Sequence, residues 1–281
     1  MHALNRIETF LDCLIKITKI PIVDANDVSA PKYLVPIVLL CSTLILTTAV
    51  LFKENIYGIL FAACKTVIFS ELLLLELQFS YIAELINTRF QDVNRRLKEI
   101  VCQMQQEDNM VPYRRLQVAH KIHKINNSFT TTTNVAKELN DTENSLLFLH
   151  IVAFIVQFII SATNLLETSY LRQKITVSSP SSNSRIIYFS CWISYEIVKG
   201  LVLIEPSHEH QEQMKLTRIL VAEIMTHVTS ESDLILDAIT NFYKHLLLNN
   251  FAYSTMGVFN LERSLICKIV GVVIAVIVLF I

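Results

Sequence analysis

Long charge-free runs alternate with long polar runs of helical pattern, and this alternation predicts where the chain crosses a bilayer. Residues 33–52 form twenty positions without a charge, enough at ~1.5 Å rise per residue for about 30 Å of hydrocarbon. They are predicted as the first span, with Pro36 near its start, where a missing amide costs little. Residues 56–79 are also apolar but are interrupted by Lys65, Glu71 and Glu76. A charge at the bilayer centre costs about 2.5 to 3.5 kcal/mol, so Glu76 is placed near an interface, and Lys65 and Glu71 are expected to face protein or water. Residues 146–166 make the third span, with His150, Gln157 and Asn164 as its strongly polar positions. The run 177–184 (VSSPSSNS) reads as a break that no helix would keep. Residues 186–204 make the fourth span, where Glu196 and Lys199, three apart, can neutralise one another on one face. Glu205-Pro206-Ser207 is expected to end it. The last span, 264–281, has eighteen residues and one charge, Lys268.

Two polar tracts lie between these spans. Residues 81–145 hold nine basic residues: Arg89, Arg95, Arg96, Lys98, Arg114, Arg115, Lys121, Lys124 and Lys137. The positive-inside rule makes this loop cytoplasmic. Two glycosylation sequons, Asn126-Asn127-Ser128 and Asn140-Asp141-Thr142, favour the inverted topology. Sequons are frequent by chance, so the charge count decides. In 208–250, Leu216, Ile219, Leu220, Ile224, Leu234, Ile235, Ala238, Ile239, Phe242 and Leu246 recur at helical spacing. That predicts a pair of amphipathic helices whose apolar stripe needs a partner. The expected fold is all-α, a polytopic transmembrane helix bundle of about five spans with long cytoplasmic helices. Its segments are a cytoplasmic start (1–32), two spans (33–80), a cytoplasmic helical loop (81–145), two spans (146–204), cytoplasmic helices (205–263) and a final span (264–281).

Composition sharpens this picture. Of 281 residues 52% are hydrophobic and 17% charged, with a mean hydropathy of +0.46, whereas soluble domains carry about 25% charged residues. Four glycines and six prolines are too few for an all-β protein rich in tight turns. The six cysteines are scattered singly, which predicts neither a disulfide framework nor a zinc site. The start of the chain lacks the pattern of a secretory signal. A net charge of −1 carries no nucleic-acid footprint.

Few constellations suggest chemistry. His208-Glu209-His210-Gln211-Glu212 lacks the spacing that puts two imidazoles on one helix face, so it reads as a solvated helix start. No nucleophile elbow, phosphate loop or dinucleotide glycine pattern occurs, and no enzyme, metal or cofactor is expected. Ionisable or amide groups inside spans are expensive and are functional candidates by default: Lys65, Glu71, Gln157, Asn164, Glu196 and Lys199. Hydrogen bonding between helices is the plainer role for each. Tyr188, Trp192 and Tyr195 could line an aromatic pocket, or serve as an interfacial belt or as packing.

The C-terminal part, residues 239–281, resembles the end of the insect gustatory receptor family, within the seven-helix chemosensory receptor superfamily. Phe242, Phe251, Gly257, Phe259, Leu261, Arg263 and Leu265 occupy the family's F…F-x-x-x-x-x-G-x-F-x-L-x-R-x-L positions. Upstream, 79–97 is similar to the family's exit from its fourth helix, with Arg89-Phe90, Asn94 and Leu97 in register. Where the family's last helix carries Thr-Tyr, this chain has Ile274-Ala275 or Ala275-Val276. The five spans correspond to the family's last five of seven, which predicts a divergent or partial receptor.

The resemblance implies a taste receptor in the plasma membrane of sensory neurons. It would be a ligand-gated, non-selective cation channel assembled as a homo- or hetero-tetramer with other gustatory receptor subunits, in contact with lipid and a small-molecule tastant. The final helix would line the pore, and its spacing nominates Val270, Ile274, Ile277, Val278 and Ile281. Gln157, Asn164, Tyr188, Trp192 and Tyr195 are the ligand-pocket candidates. A secondary transporter coupling through Lys65, Glu71, Glu196 and Lys199 is the rival reading, although no internal repeat or broken helix supports it. A structural protein tethering cytoplasmic helices is the third.

Overall fold

The computed structural model describes residues 56–106, 112–174, 180–228, 233–249 and 251–280, with positions 12, 15, 16, 37, 38 and 41. The predicted first span, 33–52, lies outside the described residues apart from those isolated positions. Five helices are described: α1 (Ile56–Gln106), α2 (Pro112–Lys174), α3 (Pro180–His227), α4 (Asp233–Leu248) and α5 (Arg263–Phe280). A two-stranded hairpin, β1 (Ser254–Thr255) and β2 (Phe259–Asn260), precedes α5. With 51, 63 and 48 residues, α1 to α3 each run about 70 to 95 Å, two to three times the depth of a bilayer core. The stretches 112–168 and 186–227 each contain a window apolar enough to cross one.

Two boundaries differ from expectation. α3 begins at Pro180, inside the run expected to stay non-helical, because proline's fixed φ suits a first helical turn. α3 also continues through Pro206. Pro206 has no amide to offer the carbonyl one turn back, at Val202. That carbonyl accepts instead from Ser80 Oγ of α1 at 2.9 Å. The next turn is tied to α1 as well, with Asn87 Nδ2 donating to the Pro206 carbonyl at 2.7 Å. Side chains from a neighbouring helix thus replace the bond that proline removes.

The chain forms two compact units. Unit 1 comprises Met1–Val28, Tyr81–Asn144 and Pro206–Ser254. In it, α1 buries Ile82, Ile86, Phe90, Val93, Leu97 and Ile100, and α2 buries Val118, Ile122, Ile125, Phe129, Ala136 and Leu139. On α3 the buried row is His210, Met214, Thr217, Val221 and Ile224, and on α4 it is Ile235, Ile239, Phe242 and Leu246. Steps of three and four dominate every row, the spacing that interdigitates in helix bundles. A polar seam joins α1 to α3: Asn94 Nδ2 donates to the Gln213 carbonyl at 3.0 Å and Asn94 Oδ1 accepts from Thr217 Oγ1 at 2.7 Å. A satisfied buried Asn of this kind fixes the register of two helices. The predicted amphipathic pair is present as the end of α3 and α4, with Ile219 and Leu234 of its stripe exposed. Near the chain's start, Lys16 Nζ bridges Asp12 and Glu138 at 2.9 and 2.8 Å.

At the centre of unit 1 an aromatic chain leads from Phe242 to Phe129 to Phe90, with centroids 5.4 and 5.6 Å apart. It ends on His210, whose ring meets Phe90, Tyr253 and Phe251 edge-on at 4.9, 5.1 and 5.7 Å. Far from the solvated position expected for it, His210 is fully buried, and neither ring nitrogen has a hydrogen-bond partner among the described residues. Burial pushes its pKa down to about 4. Acidification therefore costs stability: the unfolded chain takes up a proton near pH 6.5 and the folded one only near 4. Lowering the pH from 6.5 to 4 should remove up to about 3 kcal/mol from unit 1. Thermal unfolding of the purified chain against pH checks this, with His210→Phe flattening the slope in that window.

Candidate functional site

Unit 2 comprises Ser29–Ser80, Ser145–Glu205 and Thr255–Ile281. Its polarity is inside out. Leu149 is 62% and Leu279 81% exposed, and Leu74, Val156, Ile160, Ile187, Val272 and Ile274 are exposed as well. Buried instead are Glu76 of α1, His150 and Ser161 of α2, and Tyr195, Glu196 and Lys199 of α3. A water-soluble fold does the reverse, since exposed apolar area is costly in water and unpaired charge is costly inside. In lipid the arrangement is the favourable one.

The buried groups converge on Lys199. Its Nζ lies 3.2 Å from Glu196 Oε2 and 3.7 Å from Glu76 Oε1. The intrahelical Glu196–Lys199 pair is thus as the spacing predicts. Glu76 is 3% exposed and enclosed by protein. Its partners come from other helices, with His150 Nδ1 at 2.9 Å from the same Oε1. Facing a carboxylate oxygen, that nitrogen is the donor. The Tyr195 ring centroid lies 5.9 Å from the ammonium, within cation–π range. Beside the cluster is a void of about 10 Å³. A Cβ on Gly200 would come within 3.3 Å of the Phe154 ring there, so the glycine lets α3 close against α2.

Trp192 and Tyr195 stack at 5.3 Å, and Tyr188 continues the stack at 6.4 Å. Trp192, Tyr195 and Leu73 of α1 form a buried cluster packed against Leu77. The Tyr195 hydroxyl and Ser161 Oγ are buried with no hydrogen-bond partner among the described residues. Gln157 and Asn164 are half-buried on a different helix, α2. Glu71 is exposed, and the side chain of Lys65 lies outside the described residues.

Each residue of the C-terminal pattern has a physical task. Phe242 closes the aromatic chain of unit 1, and Phe251 flanks His210. Met256 and Gly257 adopt φ of 49° and 68°, and Val258 N donates to the Thr255 carbonyl at 2.9 Å. Two successive positive φ values inside this tight turn favour a residue without a Cβ, which explains a glycine here. Phe259 stacks on Phe148 at 6.2 Å. Arg263 grips Glu205 with one edge of its guanidinium, Nε donating to Oε2 at 3.1 Å and Nη2 to Oε1. Leu261 and Leu265 are buried.

On α5, Leu265, Ile269 and Val273 are buried, while Val270, Ile274 and Val278 are exposed. The side chain of Ile277, and Ile281, lie outside the described residues.

Removing the ammonium alone should be severe. Lys199→Met strands two buried carboxylates and should cost about 3 to 5 kcal/mol, while Lys199→Met with Glu196→Gln and Glu76→Gln should recover most of it. Thermal unfolding of detergent-purified variants measures both. Gly257→Ala, with open space around it but φ of 68°, should cost about 1 kcal/mol through backbone strain.

No curated protein matches the chain. The family model described as 7tm Chemosensory receptor matches residues 29–281. That match agrees with the inside-out unit, and the chain belongs to the 7tm chemosensory receptor family, as a membrane-embedded chemoreceptor.

Proposed function

We propose that the chain is a gustatory receptor subunit, a ligand-gated and weakly selective cation channel in the plasma membrane of sensory neurons. The observation that carries the reading is α5. One stripe of it packs on its own unit, and the face of Val270, Ile274 and Val278 is left exposed. A four-subunit ring would use that face around a central pore, with Ile277 and Ile281 continuing it. An apolar lining of this kind gates by dewetting, so small separations of the helices switch conduction.

In this reading unit 1 is cytoplasmic, in keeping with the basic residues of 81–145. Its apolar faces at Leu234, Leu236, Leu247 and Leu248 are exposed in the single chain and suit neighbouring subunits. The tastant binds in unit 2 near Tyr188, Trp192 and Tyr195, with Gln157 and Asn164 as polar contacts from α2. The buried Tyr195 hydroxyl gives an apolar wall one hydrogen-bonding point. An agonist opens the channel only by favouring the open state over the closed one.

The Glu76–Lys199–Glu196 cluster is what a coupled transporter would exploit, and one experiment separates the two readings. Cells expressing the chain, alone or with other family subunits, should show tastant-evoked currents that pass sodium and potassium almost equally. Tyr195→Phe should shift the half-maximal dose by about threefold or more at unchanged surface expression, as loss of one hydrogen bond does. Stoichiometric uptake without conductance would overturn the channel.

A further inference from the structure

We propose that a basic pocket in unit 1 binds a soluble, multiply phosphorylated small anion. The pocket lies between the end of the α1 core row and the start of that of α2, and its volume is about 350 Å³. This is at the small end of the range for small-molecule sites, ~300 to 1,000 Å³. Arg95 and Arg96 line one wall with Glu99 and Gln103, and Lys121 and Lys124 line the other.

The charges in this pocket are unbalanced. Four cations share the lining with one carboxylate. Asp92 of the same helix holds both guanidiniums, Arg95 at 2.7 Å and Arg96 at 2.7 Å. Counting Asp92 and Glu99 against the four cations leaves a formal excess of two positive charges. The shared carboxylate holds the two guanidiniums in place on one side of α1. Opposite them, Lys121 and Lys124 are one helical turn apart, with Lys121 Nζ 3.4 Å from Gln103 Oε1. Lysines on a merely solvated helix relieve repulsion by spreading. Here the packing of Ile100 against the interior fixes one wall and that of Ile125 the other, so the charges face a common space. A phosphorylated ligand turns that repulsion into attraction, with forked contacts from the arginines and point charges from the lysines.

The position on α1 favours a soluble ligand over a lipid headgroup. Arg95 follows Ser80, the end of the apolar run, by fifteen residues, about 22 Å of helix. The headgroup layer is only about 5 to 8 Å deep on each side of the core. That supply from the cytosol rests on the topology proposed above, whereas binding by the purified chain does not, so the two can fail separately.

The full chain in phosphatidylcholine nanodiscs, titrated with inositol hexakisphosphate, tests the pocket. One saturable site per chain is expected by calorimetry, with a raised unfolding temperature and weakening as salt increases. Lys121→Glu/Lys124→Glu should lower affinity by at least about tenfold, while Lys98→Glu/Lys244→Glu, equal in net charge and outside the pocket, should stay within about threefold. All four lysines are exposed, and a normal size-exclusion profile controls for folding. Equal losses in the two variants, or no saturable binding, would overturn the pocket. Binding confined to nanodiscs containing phosphatidylinositol bisphosphate would overturn the soluble source.

Discussion

An ionisable side chain on a helix that crosses lipid must be met by protein, and unit 2 is organised around that constraint. Lys199 would be prohibitive on a lone helix, as would Glu76 and His150. Brought together from three helices, they are enclosed by protein, while leucine, isoleucine and valine make up much of the outer surface of the unit. The same contacts specify which faces of α1, α2 and α3 point inward. An unpaired charge is the worst outcome of misalignment, so the cluster disfavours rotated packings more strongly than the interchangeable aliphatic residues do.

Helical continuity serves the second half of the design. α1, α2 and α3 each contribute to both units, so their composition changes along their length while the backbone ladder does not. At Pro206, Ser80 and Asn87 keep the helix running by donating hydrogen bonds to the Val202 and Pro206 carbonyls. In unit 1 the burial logic reverts to that of water-soluble bundles, with stripes at three and four and an asparagine seam.

Much of this was legible from the residues. The apolar runs, the Glu196–Lys199 pair and the C-terminal pattern led to the family, because length, local spacing and turn chemistry act within a few residues. What escaped was everything that depends on a partner distant in sequence. Glu76 was placed only by the cost of its charge at a bilayer centre, because the residues that meet it, His150 and Lys199, lie far along the chain. Pro206 was read as a stop because its substitute bonds come from over a hundred residues away. His210 was masked by its charged neighbours in the string His-Glu-His-Gln-Glu, although its place four before Met214 and seven before Thr217 puts it on the buried stripe.

The central claim is that the apolar faces of unit 2 lie in lipid and that its Glu76, Glu196 and Lys199 lie within protein. Single cysteines at Leu149, Val156 and Leu279, in an otherwise cysteine-free chain, test it in native membranes. The account predicts that a lipid-soluble maleimide labels all three and a membrane-impermeant charged one labels none until detergent is added. Rapid labelling of these positions by the charged reagent in intact membranes would contradict it.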